Sequence, residues 1–235
     1  MMMMATHLNA NHIAFLLHGA LWTVALSLIA CGGGGLLGLV VALCRVAPGP
    51  VLRNASGVYV QIVQGTPPLV AMFLLYFGLP GLGFDVPSFF AAGIALVINV
   101  SAFLGEIWRG CIESVPRPQW EAAECLALSR TQRMLRIIMP QAVRIAIPPT
   151  VGFSVQVIKN TSLASVVGLV ELARSGQIIN NSLFQPFIIY MLIAAIYFGL
   201  CFPISRWSRT LERRAARGRR QIDEPGVIAT IAAGA

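Results

Sequence analysis

Apolar residues fill five stretches of the chain, and polar residues collect between them. A helix that crosses a bilayer needs about 20 mainly apolar residues. The stretches 13–46, 56–79, 87–111, 140–158 and 186–207 each approach or exceed that length. They predict an all-α integral membrane protein with five transmembrane helices. The segment 1–12 precedes the first span, and a basic tail, 209–235, follows the last. The first run continues well past signal-peptide length and has no small-residue cleavage site, so it reads as a retained span.

Each run carries features that refine this picture. In the first, Gly32 to Gly35 and Gly38 allow close helix contact, or simply make the helix flexible. Arg45, Pro48 and Pro50 end it. Gly65, Thr66, Pro67 and Pro68 interrupt the second, because each proline removes an N–H donor. A break at membrane depth survives only against protein or a cavity. In the third, Asn99, Phe103, Glu106 and Gly110 recur at helical spacing, on a face that should meet protein or water. The segment 112–139 is too charged to span. Residues 159–185 read as an ordered loop with a re-entrant or short helix, and the small residues of the last fifteen positions read as disordered.

Composition agrees. The chain is 57% hydrophobic and 11% charged, where soluble domains carry about 25% charged residues. The formal net charge is +8. A basic chain can signal nucleic acid, but these arginines sit at the ends of apolar runs and in one tail, which is the pattern of a cytoplasmic membrane face. With the N-terminus outside, Arg45, Arg53, Arg109, Arg117, Arg130, Arg133, Arg136, Arg144 and the tail arginines fall inside, and only Lys159 and Arg174 fall outside. That bias predicts an inner-membrane protein with its C-terminus in the cytoplasm, and tail arginines that meet anionic lipid. The five cysteines form no C-x-x-C, and His7, His12 and His18 define no site.

Identity is carried by the cytoplasmic segment. It contains Glu121-Ala122-Ala123-Glu124-Cys125-Leu126-Ala127, then Ile137-Ile138-Met139-Pro140. Its pattern predicts a short helix, a turn and a second helix, with Arg130, Arg133 and Arg136 near one face. These residues resemble the EAA loop of ABC importer permeases. Gln64-Gly65-Thr66-Pro67-Pro68, Tyr76-Phe77-Gly78-Leu79-Pro80, Ile112-Glu113-Ser114-Val115-Pro116 and Lys159-Asn160-Thr161-Ser162 with Glu171-Leu172 are similar to the polar amino-acid (histidine/glutamine-type) branch. The family has Gly where this chain has Ala127, and often Asp where it has Asn160.

The resemblance implies a type I importer-like permease. Two copies, or a copy and a paralogue, would be clasped by an ABC ATPase dimer inside and served by a solute-binding protein outside. Glu121, Ala122, Ala123, Leu126, Ala127 and Ser129 would form the ATPase-coupling helix and turn. The chain itself lacks a phosphate-binding P-loop, which needs G-x-x-x-x-G-K-[ST]. Its sole lysine, Lys159, lies between Ile158 and Asn160. ATP and magnesium would therefore belong to the partner ATPase.

Candidate substrate-path residues are the polar groups within or beside spans. Glu106 is one, or it makes a structural ion pair with Arg109 or Arg144. Gln156 and Asn160, at i and i+4, join Lys159, Thr161 and Ser162 either as a head-group site or as a helix cap. Thr66 and Asn99 complete the set. The competing reading is a secondary transporter or channel that works without an ATPase. Such proteins show internal repeats and several membrane-embedded charges, and here no repeat is seen.

Overall fold

The computed structural model describes residues 8–222, with side chains through residue 214. Among the described residues every regular element is helical. They are α1 (Ala10–Arg45), α2 (Pro50–Gly65), α3 (Pro68–Phe73), α4 (Ser88–Glu113), α5 (Arg117–Cys125), α6 (Arg130–Arg133), α7 (Met139–Asn160), α8 (Leu172–Leu183) and α9 (Pro186–Ile222). Wide turns continue α3 over Leu74–Gly78 and join α6 to α7 over Met134–Ile138, and a tight turn, Thr161–Ser165, follows α7.

The boundaries follow local chemistry. Asn9 caps α1 by accepting the His12 N–H at 3.1 Å, while His12 Nδ1 accepts the Asn9 N–H at 3.2 Å. The helix that carries the expected second span starts at Pro50, ahead of residue 56, because proline at a first helical position forfeits no bond. The Gly65–Pro68 break is present, and the two halves bend by 97°. Residues 159–185 hold the tight turn and α8. The helix that carries the expected fifth span runs on past residue 207, since no proline interrupts its polar continuation, and α9 extends to Ile222. Apart from residues 221–222, the expected disordered end lies outside the described residues.

Three helices are long and apolar enough to cross a membrane: α1, α4 and the Pro186–Arg214 part of α9. The bent pair Pro50–Gly65 and Pro68–Leu82 makes a fourth when counted as one span. α7 has 22 residues but carries Gln141, Arg144, Gln156 and Lys159 around Pro148 and Pro149, and it does not reach the same apolarity. By length and composition alone three or four helices thus qualify as crossings, and α7, the expected fourth span, does not meet that test.

Packing is decided by side-chain size. Along α1 the buried positions are Leu16, Gly19, Ala20, Thr23, Leu26, Ser27, Ala30, Gly34, Gly38 and Ala42, mostly small. Leu21, Leu28 and Leu36 point outward and are highly exposed. Small residues let helix backbones approach, which is how helices associate in lipid. At Gly34 an added Cβ would lie 2.5 Å from Val100 Cβ and 3.1 Å from the Val97 carbonyl oxygen. Gly33, Gly34 and Gly38 therefore serve close contact between α1 and α4, whereas Gly32 faces open space. A central core joins Leu26, Met72, Leu96, Val100 and Val157, and a second joins Leu16, Leu172, Ile179 and Ile189. A third, Ile112, Val115, Ile138 and Ala142 with Trp120 against it, roots the charged segment.

Candidate coupling hairpin and polar path

The charged segment folds as a hairpin. α5 runs from Arg117 to Cys125, with Pro118 in its first turn. It ends in a turn where the Leu128 N–H reaches the Ala123 carbonyl at 3.3 Å and the Ala127 N–H reaches the Glu124 carbonyl at 2.8 Å. This bond pair is a Schellman motif, which places the residue after the cap in the left-handed region. That residue is Ala127, with φ of 53°. Ser129 then caps α6, exchanging bonds with Gln132 at 3.0 and 3.4 Å. An Arg133–Glu124 ion pair closes the hairpin, and Arg130 donates to the Val46 carbonyl at 3.0 Å. The second arm is no separate helix, because α6 passes through the wide turn directly into α7.

The six hairpin residues singled out by sequence separate into two groups. Ala123 is buried, Ala127 shapes the turn and Ser129 caps. Glu121, Ala122 and Leu126 face outward, and Leu126 is 72% exposed. Left-handed backbone costs a non-glycine residue about 1–2 kcal/mol. Glycine's extra unfolded-state entropy returns about 0.5–1 kcal/mol of that. Ala127→Gly should therefore stabilise the protein by about 0.5–1 kcal/mol. Chemical denaturation in detergent measures this, and a lower stability would contradict the turn geometry.

Glu106 lies in a chain of ion pairs. Its carboxylate accepts from Arg45 at 3.3 Å and from Arg109 Nε at 2.9 Å, and Arg109 also pairs with Glu113. Arg144 is not in this chain. The arrangement ties the end of α1 to α4, which is the structural alternative for Glu106 with Arg45 as an unforeseen partner.

The remaining polar candidates fall at different places. Asn99 is 4% exposed. Its helix neighbour Phe103 stacks on Phe153 of α7, with centroids 5.4 Å apart, whereas Gly110 is exposed. The Thr66 hydroxyl donates back to the Ile62 carbonyl at 2.8 Å, closing the end of α2 at the bend. At the end of α7, Gln156 Nε2 donates to Asn160 Oδ1 at 3.0 Å, and both amides reach the surface. Lys159 is exposed beside them. Thr161 is buried and donates to the Ile158 carbonyl, and Ser162 donates to the Lys159 carbonyl, each at 2.7 Å. Thr161 and Ser162 thus cap the helix, while the bonded Gln156–Asn160 pair and Lys159 present polar surface.

With this geometry in place, comparison with known proteins is decisive. The binding-protein-dependent transport system inner membrane component family matches residues 34–217. This chain belongs to that family. The probable amino-acid ABC transporter permease protein YckA of Bacillus subtilis is 35% identical over 90% of this chain and 93% of its own length. The L-cystine transport system permease protein TcyB of Bacillus subtilis is 37% identical over 85% and 86%. A crystal structure of an amino acid ABC transporter with histidines superposes with a TM-score of 0.83 at 32% identity, covering 87% of this chain and 95% of that one. The permease is a multi-pass membrane component and has no catalytic activity of its own, since ATP hydrolysis resides in a separate subunit.

One polar centre of the permease escaped the sequence reading. Glu171 is fully buried, and it caps α8 by accepting the Arg174 N–H at 2.9 Å. Its other oxygen accepts from Tyr197 at 2.9 Å and Thr23 at 3.1 Å. The Thr23 hydroxyl in turn accepts the Leu172 N–H at 3.3 Å. Every oxygen is satisfied, as a buried carboxylate requires. The network locks α1, α8 and α9 together. The available signal was an acid inside a largely apolar stretch, 163–172, but its partners lie far along the chain.

Proposed function

We propose that this permease carries polar amino acids across the cytoplasmic membrane, driven by a separate ABC ATPase that grips the 112–139 hairpin. The observation that carries this reading is the outward presentation of Glu121, Ala122 and Leu126 at a firmly rooted turn. Leu126 and Ala122 beside Glu121 give this rigidly held loop an exposed face of mixed apolar and charged character, which suits it to partner docking. The assembly we infer contains two permease copies or paralogues, two ATPase subunits and an external solute-binding protein. Five crossings, with α7 as the fourth, put the N-terminus outside and the hairpin and basic tail inside. α7 tolerates its polar residues where it faces protein or water rather than lipid. ATP binding on the ATPase dimer favours one of two packed states, and the hairpin transmits that bias to the spans.

The test is uptake of a radiolabelled amino-acid panel by vesicles that hold the complete transporter. The reading expects uptake that requires ATP and the binding protein. Uptake by the permease alone would instead make it a secondary transporter or channel.

Within the path we assign Gln156, Lys159 and Asn160 to substrate contact, with Thr161 and Ser162 positioning them. Thr66 and Asn99 flank the path at the bend and in α4. Asn160→Asp adds a negative charge at the oxygen that accepts from the Gln156 amide. It should shift preference toward basic amino acids about 2–5-fold, the effect of a partly exposed charge contact worth about 0.5–1 kcal/mol. Competition uptake measures the ratio, and unchanged selectivity would remove Asn160 from the path.

A further inference from the structure

At the root of the hairpin, charges do not balance. Arg45 and Arg109 share Glu106 and Glu113 in three ion pairs, two cations against two anions. Arg53 and Arg130 line the same recess as Arg45, and among the described residues neither pairs with a carboxylate. Arg130 spends one N–H on the Val46 carbonyl, and Arg45 spends one on the Arg53 carbonyl at 3.4 Å. The recess has a volume of ≈ 430 Å³, and Trp120 forms part of its wall. Glu113 also lines it, but that carboxylate is engaged by Arg109.

A second recess, ≈ 340 Å³, shares one wall residue with the first, the buried Ile112. It lies between α1, α4 and α7, with Leu39, Trp108, Met139, Val143 and Ile147 among its walls. The Trp108 N–H is satisfied by the Thr150 hydroxyl at 2.8 Å, so the indole offers the recess only apolar surface. Arg45 and Glu113 end the spanning helices α1 and α4. The polar recess therefore sits where the apolar spans end, at headgroup level, and the apolar one extends along the spans.

We propose that the two recesses together form a site for one anionic phospholipid, with its phosphate against Arg53 and Arg130 and an acyl chain in the apolar recess. Charge and adjacency argue for this occupant. A free phosphate would leave the apolar half empty, and a neutral lipid would forgo the attraction of two exposed guanidiniums that no carboxylate engages. Basic pockets between helices at a membrane face bind anionic headgroups for this reason. The bound lipid would bridge the α1–α2 connection to the hairpin and so steady the hairpin. This binding claim is separate from the docking role of Glu121 and Leu126.

Tryptophan quenching tests it. In the purified permease with its partner subunits, Trp22→Phe and Trp207→Phe leave Trp108 and Trp120 as the permease's own tryptophans, and the same complex with all four replaced by Phe supplies the background to subtract. Brominated phosphatidylglycerol should quench them at much lower mole fraction than brominated phosphatidylcholine. Each arginine is worth about fivefold in that preference. Arg53→Gln should lower it by that factor, Arg53→Lys should retain it, and the Arg53→Gln/Arg130→Gln pair should bring it near parity. Inorganic phosphate should not displace the brominated chain at matching concentration. Equal quenching by both lipids in the parent protein would overturn the site, as would displacement by free phosphate. Absence of quenching by either lipid would also overturn it and mark the recess as covered by a second copy or another subunit.

Discussion

Glu121→Lys in the permease is expected to reduce ATP-driven uptake by 30-fold or more, with insertion and folding intact. Among the described residues Glu121 makes no ion pair, and its side chain is exposed. It lies two positions before buried Ala123, so the helix turns it to the opposite side of α5. Nothing inside the permease depends on its charge. If the ATPase docks on that face, reversing the charge leaves a partner group unmatched, at a cost of about 2–5 kcal/mol. The lower end alone is about 30-fold. Size-exclusion behaviour and ATPase pull-down would accompany the uptake measurement. Normal uptake by this variant would remove the docking role from α5.

Gly34→Leu should be the most disruptive change within the span bundle. A single carbon at this position already meets Val100 Cβ at 2.5 Å, and that atom cannot rotate away. Gly105 repeats the situation from α4, where an added Cβ would lie 2.6 Å from Val41 Cγ1. Leaving glycine gains about 1 kcal/mol of helix propensity. Ordinary overpacking costs about 1–3 kcal/mol, and a clash with immovable backbone-attached atoms exceeds that range. The clash therefore wins, and α1 should separate from α4. Gly32→Leu is the internal control, since nothing lies within 4 Å of the atom it would add. Thermal unfolding in detergent should show a large loss for the first variant and none for the second. Equal behaviour of the two would contradict this helix contact.

The hairpin was legible from sequence because its determinants are local. Pro116 and Pro118 start α5, Ser129 with Gln132 starts α6, and helix-forming residues fill the space between. The departure at Ala127 was also visible, but its outcome was not. Whether alanine keeps right-handed geometry depends on the bonds from Ala127 and Leu128 to Glu124 and Ala123, which local propensity leaves open. Glu106 was recognised as a misplaced charge, and Arg109 as a partner one turn away. Arg45 is distant in the chain and emerged only from the packing of α1 on α4. Glu171 was quoted only as part of a motif, because its importance resides in Thr23 and Tyr197.

By itself the sequence determined that this chain is helical, membrane-embedded and broken at Gly65–Pro68. Those properties depend on hydropathy summed over a helix length and on the missing N–H of proline, both of which are additive along the chain. The tertiary structure decided which faces of equally apolar helices turn inward. In α1, leucine and glycine alike are compatible with lipid, so hydropathy does not choose between them. Close packing does, placing glycine and alanine against α4 and turning most of the leucines outward.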